Sequence, residues 1–220
     1  MRVLCVKAGA KYGPEYVTRL QRACDRHLPA HEFVCLTDDP LPHVDCRPLK
    51  RDLPSWWSKL NLFEPGAFPG ENLYFDLDVV VLDDLSVFRV ADHRGKLWAL
   101  DDFSYGYRRP RRSLDAPSLQ LLGGDWTCNS SVLYWHGDAG LRAWCQLQPD
   151  VLKRLHGDQN YLTQTLWPDK LGLFPDGLAC SYKYHVQHGE PFGRVCVFHG
   201  HPKPPQLPRT DRMRVLWDAA

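Results

Sequence analysis

The stretch from Asn72 to Leu82, NLYFDLDVVVL, decides the fold of this chain. Aromatic and aliphatic residues flank two carboxylates, Asp76 and Asp78, and this composition predicts a buried β-strand. Successive side chains of a strand point to opposite faces of the sheet. We therefore expect Asp76 and Asp78 to project together from one face, with Leu77 turned into the core.

Two carboxylates held close together in an apolar setting repel each other and are poorly hydrated. A hard divalent cation, which prefers oxygen ligands, would compensate their charge. The alternative for a short D-x-D pair is that one aspartate faces solvent and the other caps a turn. The apolar residues on both sides of Asp76 and Asp78 favour the cation site.

The segments upstream of this strand predict a parallel sheet. Residues 3–6 and 32–36 are β-branched or apolar runs typical of strands, and residues 15–26 have apolar positions at helical spacing. A strand, a helix and a strand in this order form a βαβ unit. The predicted fold class is α/β: a single domain with a Rossmann-like, mixed and mostly parallel sheet flanked by helices.

The remaining segments continue this alternation. Strands are predicted over 129–135 and 194–199, and helices over 56–63, 141–147 and 158–166. The stretch 101–125 has no clear periodicity and carries four arginines: Arg108, Arg109, Arg111 and Arg112. Such a stretch is either an anion-binding loop or a solvated one.

Length and charge restrict the possible classes of protein. A chain of 220 residues suits one large domain. The formal net charge of +1 argues against nucleic-acid binding through an extended basic surface. No segment has the apolar length needed to span a bilayer, and the first residues are too short an apolar run for a signal peptide. We expect a cytoplasmic protein, with a peripheral position at the inner membrane surface as an alternative.

The chain has eight cysteines but no CxxC pair. Cys5, Cys35 and Cys196 lie within apolar strand-like runs, where a reduced cysteine acts as a small hydrophobe. We therefore expect free thiols and no zinc site.

Four motifs occur in a fixed order: FDLDVVVLDDL, Asn129-Ser130-Ser131, Gly157-Asp158-Gln159 and a segment from His199 to Pro204, HGHPKP. The set resembles bacterial glycosyltransferases with the GT-A fold, most like family 8 and its relatives. The resemblance runs over 1–205, the predicted glycosyltransferase domain, and leaves 206–220 as a C-terminal tail. It implies a nucleotide-sugar donor, usually a UDP-sugar, and Mn²⁺ or Mg²⁺.

The resemblance implies a metal site made by Asp76, Asp78 and His199. Asp76 resembles the first carboxylate of the acidic motif, which contacts the ribose or the metal through water, and Asp78 resembles the direct metal ligand. His199 resembles a histidine that completes the site from a distant strand. Neutral imidazole suits Mn²⁺ better than Mg²⁺. The alternative for His199 is a buried histidine bonded to the backbone.

Two lysines are assigned by the same resemblance. Lys203 resembles a lysine that contacts the diphosphate, where it would offset charge on the leaving group. The histidine-to-lysine spacing is shorter here than in the family, and no tryptophan follows the lysine-proline pair, so a solvated lysine is the alternative. Lys59 resembles a basic residue that reaches both the acidic motif and the donor sugar, and an exposed helix lysine is its alternative.

The sugar side of the site is assigned to three residues. Asn129 resembles a residue whose amide faces the donor sugar. Asp158 and Gln159 resemble a pair near the anomeric carbon and the sugar hydroxyls. Asp158 is also well placed to cap the following helix. One of the adjacent Trp56 and Trp57 is expected in the core, and stacking on a sugar is the other possible use.

The nucleoside side is expected at the ends of the first two strands, because ligand crevices of open α/β sheets lie beyond the carboxyl ends of strands. Lys7 ends the first strand, Tyr12 follows it and could stack on the base, and Asp38 follows the second strand and could accept a hydrogen bond from the base. Ordinary turn chemistry is the alternative for these positions.

The predicted function is metal-dependent transfer of a sugar from a nucleoside diphosphate sugar to a hydroxyl acceptor, a glycan or a lipid-linked molecule, with retention of configuration. A sugar-1-phosphate nucleotidyltransferase is one alternative, although the turn after the first strand is a poor glycine-rich phosphate loop. A non-catalytic sugar-nucleotide or glycan-binding module is another. A metal hydrolase would need a base and an open metal-bound water, and no such cluster stands out.

Overall fold

The computed structural model describes residues 1–91, 95–103, 127–190 and 192–220. Its strands are β1 Arg2–Lys7, β2 Glu32–Thr37, β3 Asp45–Pro48, β4 Glu71–Phe75, β5 Val80–Val81, β6 Leu97–Leu100, β7 Asn129–His136, β8 Leu171–Leu173, β9 Ala179–Ser181 and β10 Val195–Val197. Its α-helices are α1 Pro14–His27, α2 Leu141–Gln146, α3 Val151–Arg154, α4 Asp158–Leu166 and α5 Arg212–Ala219. Short 3-10 helices cover Ser55–Phe63, Ser86–Phe88, Val186–His188 and Pro204–Gln206.

A seven-stranded sheet has the order β3-β2-β1-β4-β7-β6-β8. The pairs β1-β2, β1-β4, β2-β3 and β6-β8 are parallel, whereas β7 is antiparallel to both of its neighbours. A second, three-stranded sheet has the order β5-β10-β9. The predicted mixed, mostly parallel α/β fold is therefore confirmed.

Side chains of the large sheet alternate between two hydrophobic clusters, one on each face. Val3 and Cys5 of β1 pack in the cluster that contains α1, whereas Leu4 between them packs in the cluster that contains α2 and α4. This alternation is the two-residue period expected for a strand buried on both faces. Helices cover both faces, and the sheet ends are left open for a site.

The predicted strand over 72–82 is wrong at its centre. β4 ends at Phe75, a turn follows, and β5 begins at Val80 and joins the second sheet. The Asp76 N–H donates to Ser131 O at 2.9 Å, and the Val79 N–H donates to Asp76 O at 3.1 Å. These two bonds satisfy the backbone while the chain leaves one sheet for the other, which apolar composition alone does not reveal.

The segment 206–220, predicted as a tail, carries α5. Met213 and Trp217 of this helix are buried in the cluster with α1, and the Trp217 ring lies 4.8 Å from the Tyr16 ring. Arg19 of α1 donates to Trp217 O at 2.6 Å, and Arg26 donates to Ala219 O at 2.5 Å. These arginines satisfy carbonyls at the end of α5, as basic side chains commonly do there.

Three other expectations concern the arginine-containing stretch, the cysteines and membrane-spanning segments. The arginines at 108, 109, 111 and 112 lie outside the described residues. The eight cysteines are free thiols. Among the described residues, no helix has the length and apolar character that crossing a bilayer requires.

Candidate active site

A cleft of about 520 Å³ opens where β1 and β4 end, next to the amino-terminal end of α4. It lies beyond the carboxyl ends of parallel strands, where ligands of open α/β sheets bind. Eight of the residues predicted for the site line it: Tyr12, Lys59, Asp76, Asp78, Asp158, Gln159, His199 and Lys203.

Asp76 and Asp78 reach the cleft from the turn after β4. Leu77 between them is 2% exposed and packs in the core. Both carboxylates line one cleft, as expected, but a turn rather than a strand places them there. The structural reason given for their common orientation was therefore wrong.

Lys59 connects the two sides of this cleft. Its Nζ lies 3.0 Å from Asp76 Oδ1 and 3.1 Å from Asp158 Oδ2, and it donates to Ser130 Oγ at 2.8 Å and to Ser130 O at 3.1 Å. The Lys59 side chain is only 6% exposed. The 3-10 helix Ser55–Phe63 presents it inward, so the alternative of an exposed helix lysine is wrong.

The contacts in this cluster shift the pKa values of Lys59 and Asp76. Burial would lower the pKa of Lys59, but the carboxylates of Asp158 and Asp76 outweigh it and raise that pKa above its usual range. Burial would raise the pKa of Asp76, but Lys59 and the Tyr74 hydroxyl outweigh it and lower that pKa. The Tyr74 hydroxyl donates to Asp76 Oδ1 at 2.6 Å, and Ser130 Oγ donates to Asp158 Oδ2 at 2.5 Å.

Asp78 has its own donors. The Tyr12 hydroxyl donates to Asp78 Oδ2 at 2.8 Å, and Lys203 Nζ donates to the same oxygen. The Lys203 backbone N–H donates to Gln206 Oε1 at 2.7 Å, which anchors the start of the 3-10 helix Pro204–Gln206. Lys203 is 8% exposed, so it is not a solvated lysine of a tail.

His199 lies deep in the cleft between the rings of Phe103 and Tyr184, at 5.3 Å and 6.0 Å. Its Nε2 is buried and has no hydrogen-bond partner among the described residues. Burial lowers the pKa of His199, and the Asp78 carboxylate opposes that shift only in part. The imidazole is therefore neutral at pH 7 and has a ring nitrogen available for a ligand.

The donor types fit a divalent cation, although they are not gathered around one point. Asp76, Asp78 and His199 line the same cleft, and in the part of the chain that the structure describes the buried Nε2 of His199 has no hydrogen-bond partner. Within residues 1–91, 95–103, 127–190 and 192–220, however, no three His, Cys, Asp or Glu side chains lie close enough to hold a metal ion. Lys203 and Tyr12 both donate to Asp78 Oδ2, so a cation held by Asp78 would share that carboxylate with them.

Comparison with solved structures identifies the fold. The galactosyltransferase LgtC, solved in complex with donor and acceptor sugar analogs, superposes with a TM-score of 0.66 at 16% identity over 100% of this chain and 96% of its own. The chain has the GT-A glycosyltransferase fold. GlyE of Streptococcus pneumoniae TIGR4 gives a TM-score of 0.68 at 15% identity, and the bifunctional glycosyltransferase WbbM gives 0.62 at 12%.

The chain spans 60% of GlyE and 49% of WbbM while itself being covered to 99% and 98%. A scan against protein-family models gives no match, and a search of curated proteins gives none either. Structural similarity therefore establishes the GT-A fold. The sequence identities of 12–16% are too low to show a shared activity.

Within this GT-A fold, three predicted site residues lie outside the cleft lining. Asn129 is buried and its Oδ1 accepts from the Ser131 N–H at 3.0 Å. Lys7 is 5% exposed at the end of β1. Asp38 lines an adjoining cleft of about 530 Å³, where its Oδ2 accepts from the Gly9 N–H at 2.7 Å. The two clefts share Ala8 and Ser55, so Asp38 borders a continuous groove.

Asp158 does not cap α4 as the alternative proposed, because Gly157 occupies the N-cap position and Asp158 is the first helical residue. Its carboxylate instead contacts Lys59 and Ser130. Gln159 lines the cleft one residue later.

Sequence reasoning missed Ser130 and Tyr74 as members of the charge cluster. Tyr74 stands two residues before Asp76, at the strand period, and Ser130 follows Asn129 in a motif already singled out. The spacing of Tyr74 was a usable signal. Nothing local showed that the hydroxyl of Ser130, rather than the amide of Asn129, would reach the lysine.

Proposed function

We propose that this chain transfers a glycosyl group from a nucleoside diphosphate sugar, a UDP-sugar, to a hydroxyl of a glycan or lipid-linked acceptor. The observation that carries this proposal is the buried Lys59 cluster, which joins Asp76 to Asp158 across a cleft at the carboxyl ends of β1 and β4. Buried charge clusters of this kind in a cleft are typical of functional sites.

The groove formed by the two clefts suits the parts of such a donor. The cleft that contains Asp38, which Arg47 and Asp52 also line, would accept the base and ribose. The cleft that contains Lys59 and Asp158 would accept the diphosphate and sugar. Tyr12 lines the second of these clefts, and its hydroxyl donates to Asp78 Oδ2.

A divalent cation, Mn²⁺ or Mg²⁺, would be held by Asp76, Asp78 and His199. When bound, such a cation neutralises charge on the departing diphosphate. Lys203, which donates to Asp78, would also pair with phosphate oxygens of the donor at the same place.

The chain's own groups position the sugar. Lys59 and Ser130 keep the Asp158 carboxylate fixed at the beginning of α4. Asp158 and Gln159 would then face the anomeric carbon and the sugar hydroxyls, with retention of configuration as the resemblance to family 8 implies. Tyr74 and Lys59 together prevent Asp76 from turning away from the cleft.

Thermal unfolding with a panel of nucleotides, with and without Mn²⁺, tests this proposal, because a ligand that binds only the folded state raises its stability. We expect UDP with Mn²⁺ to give the largest increase in Tm and Asp78→Ala to abolish the part that depends on Mn²⁺. The matched control is Asp169→Ala, an exposed aspartate outside the cleft.

Release of UDP from a panel of UDP-sugars separates the functional classes. Turnover that depends on Asp158 supports a glycosyltransferase. Pyrophosphate production from a nucleoside triphosphate and a sugar phosphate would instead indicate a nucleotidyltransferase, and tight UDP-sugar binding without turnover a binding module. A Tm that no nucleotide and no metal changes would contradict the proposal.

A further inference from the structure

The adjacent tryptophans of the 3-10 helix Ser55–Phe63 have opposite environments. Trp57 is 4% exposed and its ring lies 6.0 Å from the ring of Tyr161 in the core. Trp56 is 46% exposed and lines the cleft. Successive residues of a 3-10 helix are about 120° apart around its axis, so burying one tryptophan turns its neighbour outward. Packing in the core therefore accounts for Trp57 but not for Trp56.

Exposure alone would not single out Trp56, because scattered exposed apolar side chains are normal. Among the described residues, Trp56, Phe192 and Val215 are the large hydrophobic side chains that are exposed. Of these, Trp56 lines the cleft, where the other lining groups are mainly charged or polar. An indole in that position presents an apolar surface to whatever enters the cleft.

The indole of Trp56 is held in place by the segment that leads into α4. A Cβ built on Gly157 would lie 2.8 Å from Trp56 Nε1, so any larger residue at this position would displace the indole from where it lies. The His156 ring lies 6.0 Å from the Trp56 ring with 38° between their planes. The chain thus places a fixed aromatic face beside Asp158 and Gln159, the residues proposed to face the transferred sugar.

We infer that Trp56 is a stacking platform for a pyranose ring of the acceptor, so that the acceptor is a saccharide rather than a lipid or peptide hydroxyl. This inference rests on the proposed function. A pyranose has an apolar face of C–H groups, and a fixed, amphipathic ring such as indole provides contact area at low entropic cost. The charged floor of the cleft suits the donor diphosphate, whereas the half-exposed Trp56 contacts a ligand that arrives from solvent.

Saturation-transfer NMR on the full chain with UDP and Mg²⁺ tests the inference. The probes are the methyl pyranosides of glucose, galactose, mannose and N-acetylglucosamine. We expect at least one of them to receive saturation mainly on the C–H groups of one ring face. Trp56→Ala should weaken its binding about tenfold, which corresponds to about 1.4 kcal/mol, and Trp56→Phe should retain most of the affinity.

The matched control is Phe192→Ala, which removes an exposed aromatic ring that does not line the cleft and should leave pyranoside binding unchanged. The UDP-dependent increase in Tm should be the same in Trp56→Ala and in the unmodified chain.

If UDP raises the Tm but none of the pyranosides binds, or if Trp56→Ala binds them normally, the inference is overturned while the proposed function stands. If UDP does not raise the Tm of the unmodified chain, the proposed function fails and the inference fails with it.

Discussion

Replacing Lys59 with methionine should lower the free energy of unfolding by about 3 kcal/mol, the lower end of the range for breaking a buried ion pair. Lys59 Nζ makes four polar contacts: with Asp76, with Asp158, and with the hydroxyl and carbonyl of Ser130. The methionine removes all of them and leaves two carboxylates in a buried cluster. The loss stays at the lower end because Asp76 retains the Tyr74 hydroxyl and Asp158 retains the Ser130 hydroxyl.

Urea denaturation followed by circular dichroism measures this change, because a shift in midpoint at constant slope reports stability alone. Lys50→Met is the matched control. Lys50 is 66% exposed on its side chain and lies 3.7 Å from Glu64, and an exposed pair of this kind contributes about 0–1 kcal/mol. The same substitution should therefore be nearly neutral at position 50.

A second variant separates charge from packing. In a chain that carries Asp158→Asn, Lys59→Met should cost less than it does alone, because one fewer buried carboxylate is left without its cation. If Lys59→Met and Lys50→Met destabilise the chain equally, or if Asp158→Asn does not reduce the cost of Lys59→Met, then the reasoning about the buried cluster is refuted.

Three further changes test other parts of the structure. Tyr12→Phe removes a hydrogen bond to a charged acceptor, Asp78, and should lower the free energy of unfolding by about 1.5–3 kcal/mol in urea denaturation; no change would contradict the contact. Burial lowers the pKa of His199 below its unfolded value, so protonation of the ring favours unfolding and the free energy of unfolding falls as pH drops below about 6.5. The His199→Gln variant should therefore lose less stability between pH 7 and pH 5 than the unmodified chain does. An equal loss in both would show that His199 is not responsible. Trp217→Ala should cost about 3–5 kcal/mol because the ring is 3% exposed in the core, whereas a cost below about 1 kcal/mol would support treating 206–220 as a dispensable tail.

The fold class and most element positions could be predicted from the sequence because they depend on local periodicity. The predicted strand over 32–36 is β2, the predicted helix over 15–26 is within α1, and the predicted helix over 158–166 coincides with α4. The helix over 15–26 has apolar positions at helical spacing, and the strand is a short apolar run that ends in a turn signature. The strand over 72–82 failed because an apolar run does not show where a chain passes from one sheet to another.

The candidate site was likewise predicted only in part. Charge in an apolar run singled out Asp76 and Asp78, and the resemblance of the motifs to GT-A glycosyltransferases added Asp158, His199 and Lys203 as their neighbours. Which partner each would take depended on contacts between distant segments, and the sequence assigned Lys203 to a diphosphate where the folded chain gives it Asp78.

The sequence by itself determined an α/β chain with two carboxylates in a central apolar segment, because hydrophobic periodicity and charge are local properties. Only the tertiary structure decided that Lys59 lies between Asp76 and Asp158, that Trp57 rather than Trp56 enters the core, and that 212–219 packs on α1. The physical reason is that sheet order and helix packing bring together segments that are distant in sequence. A local pattern of residues does not specify which side chains of those segments will be in contact.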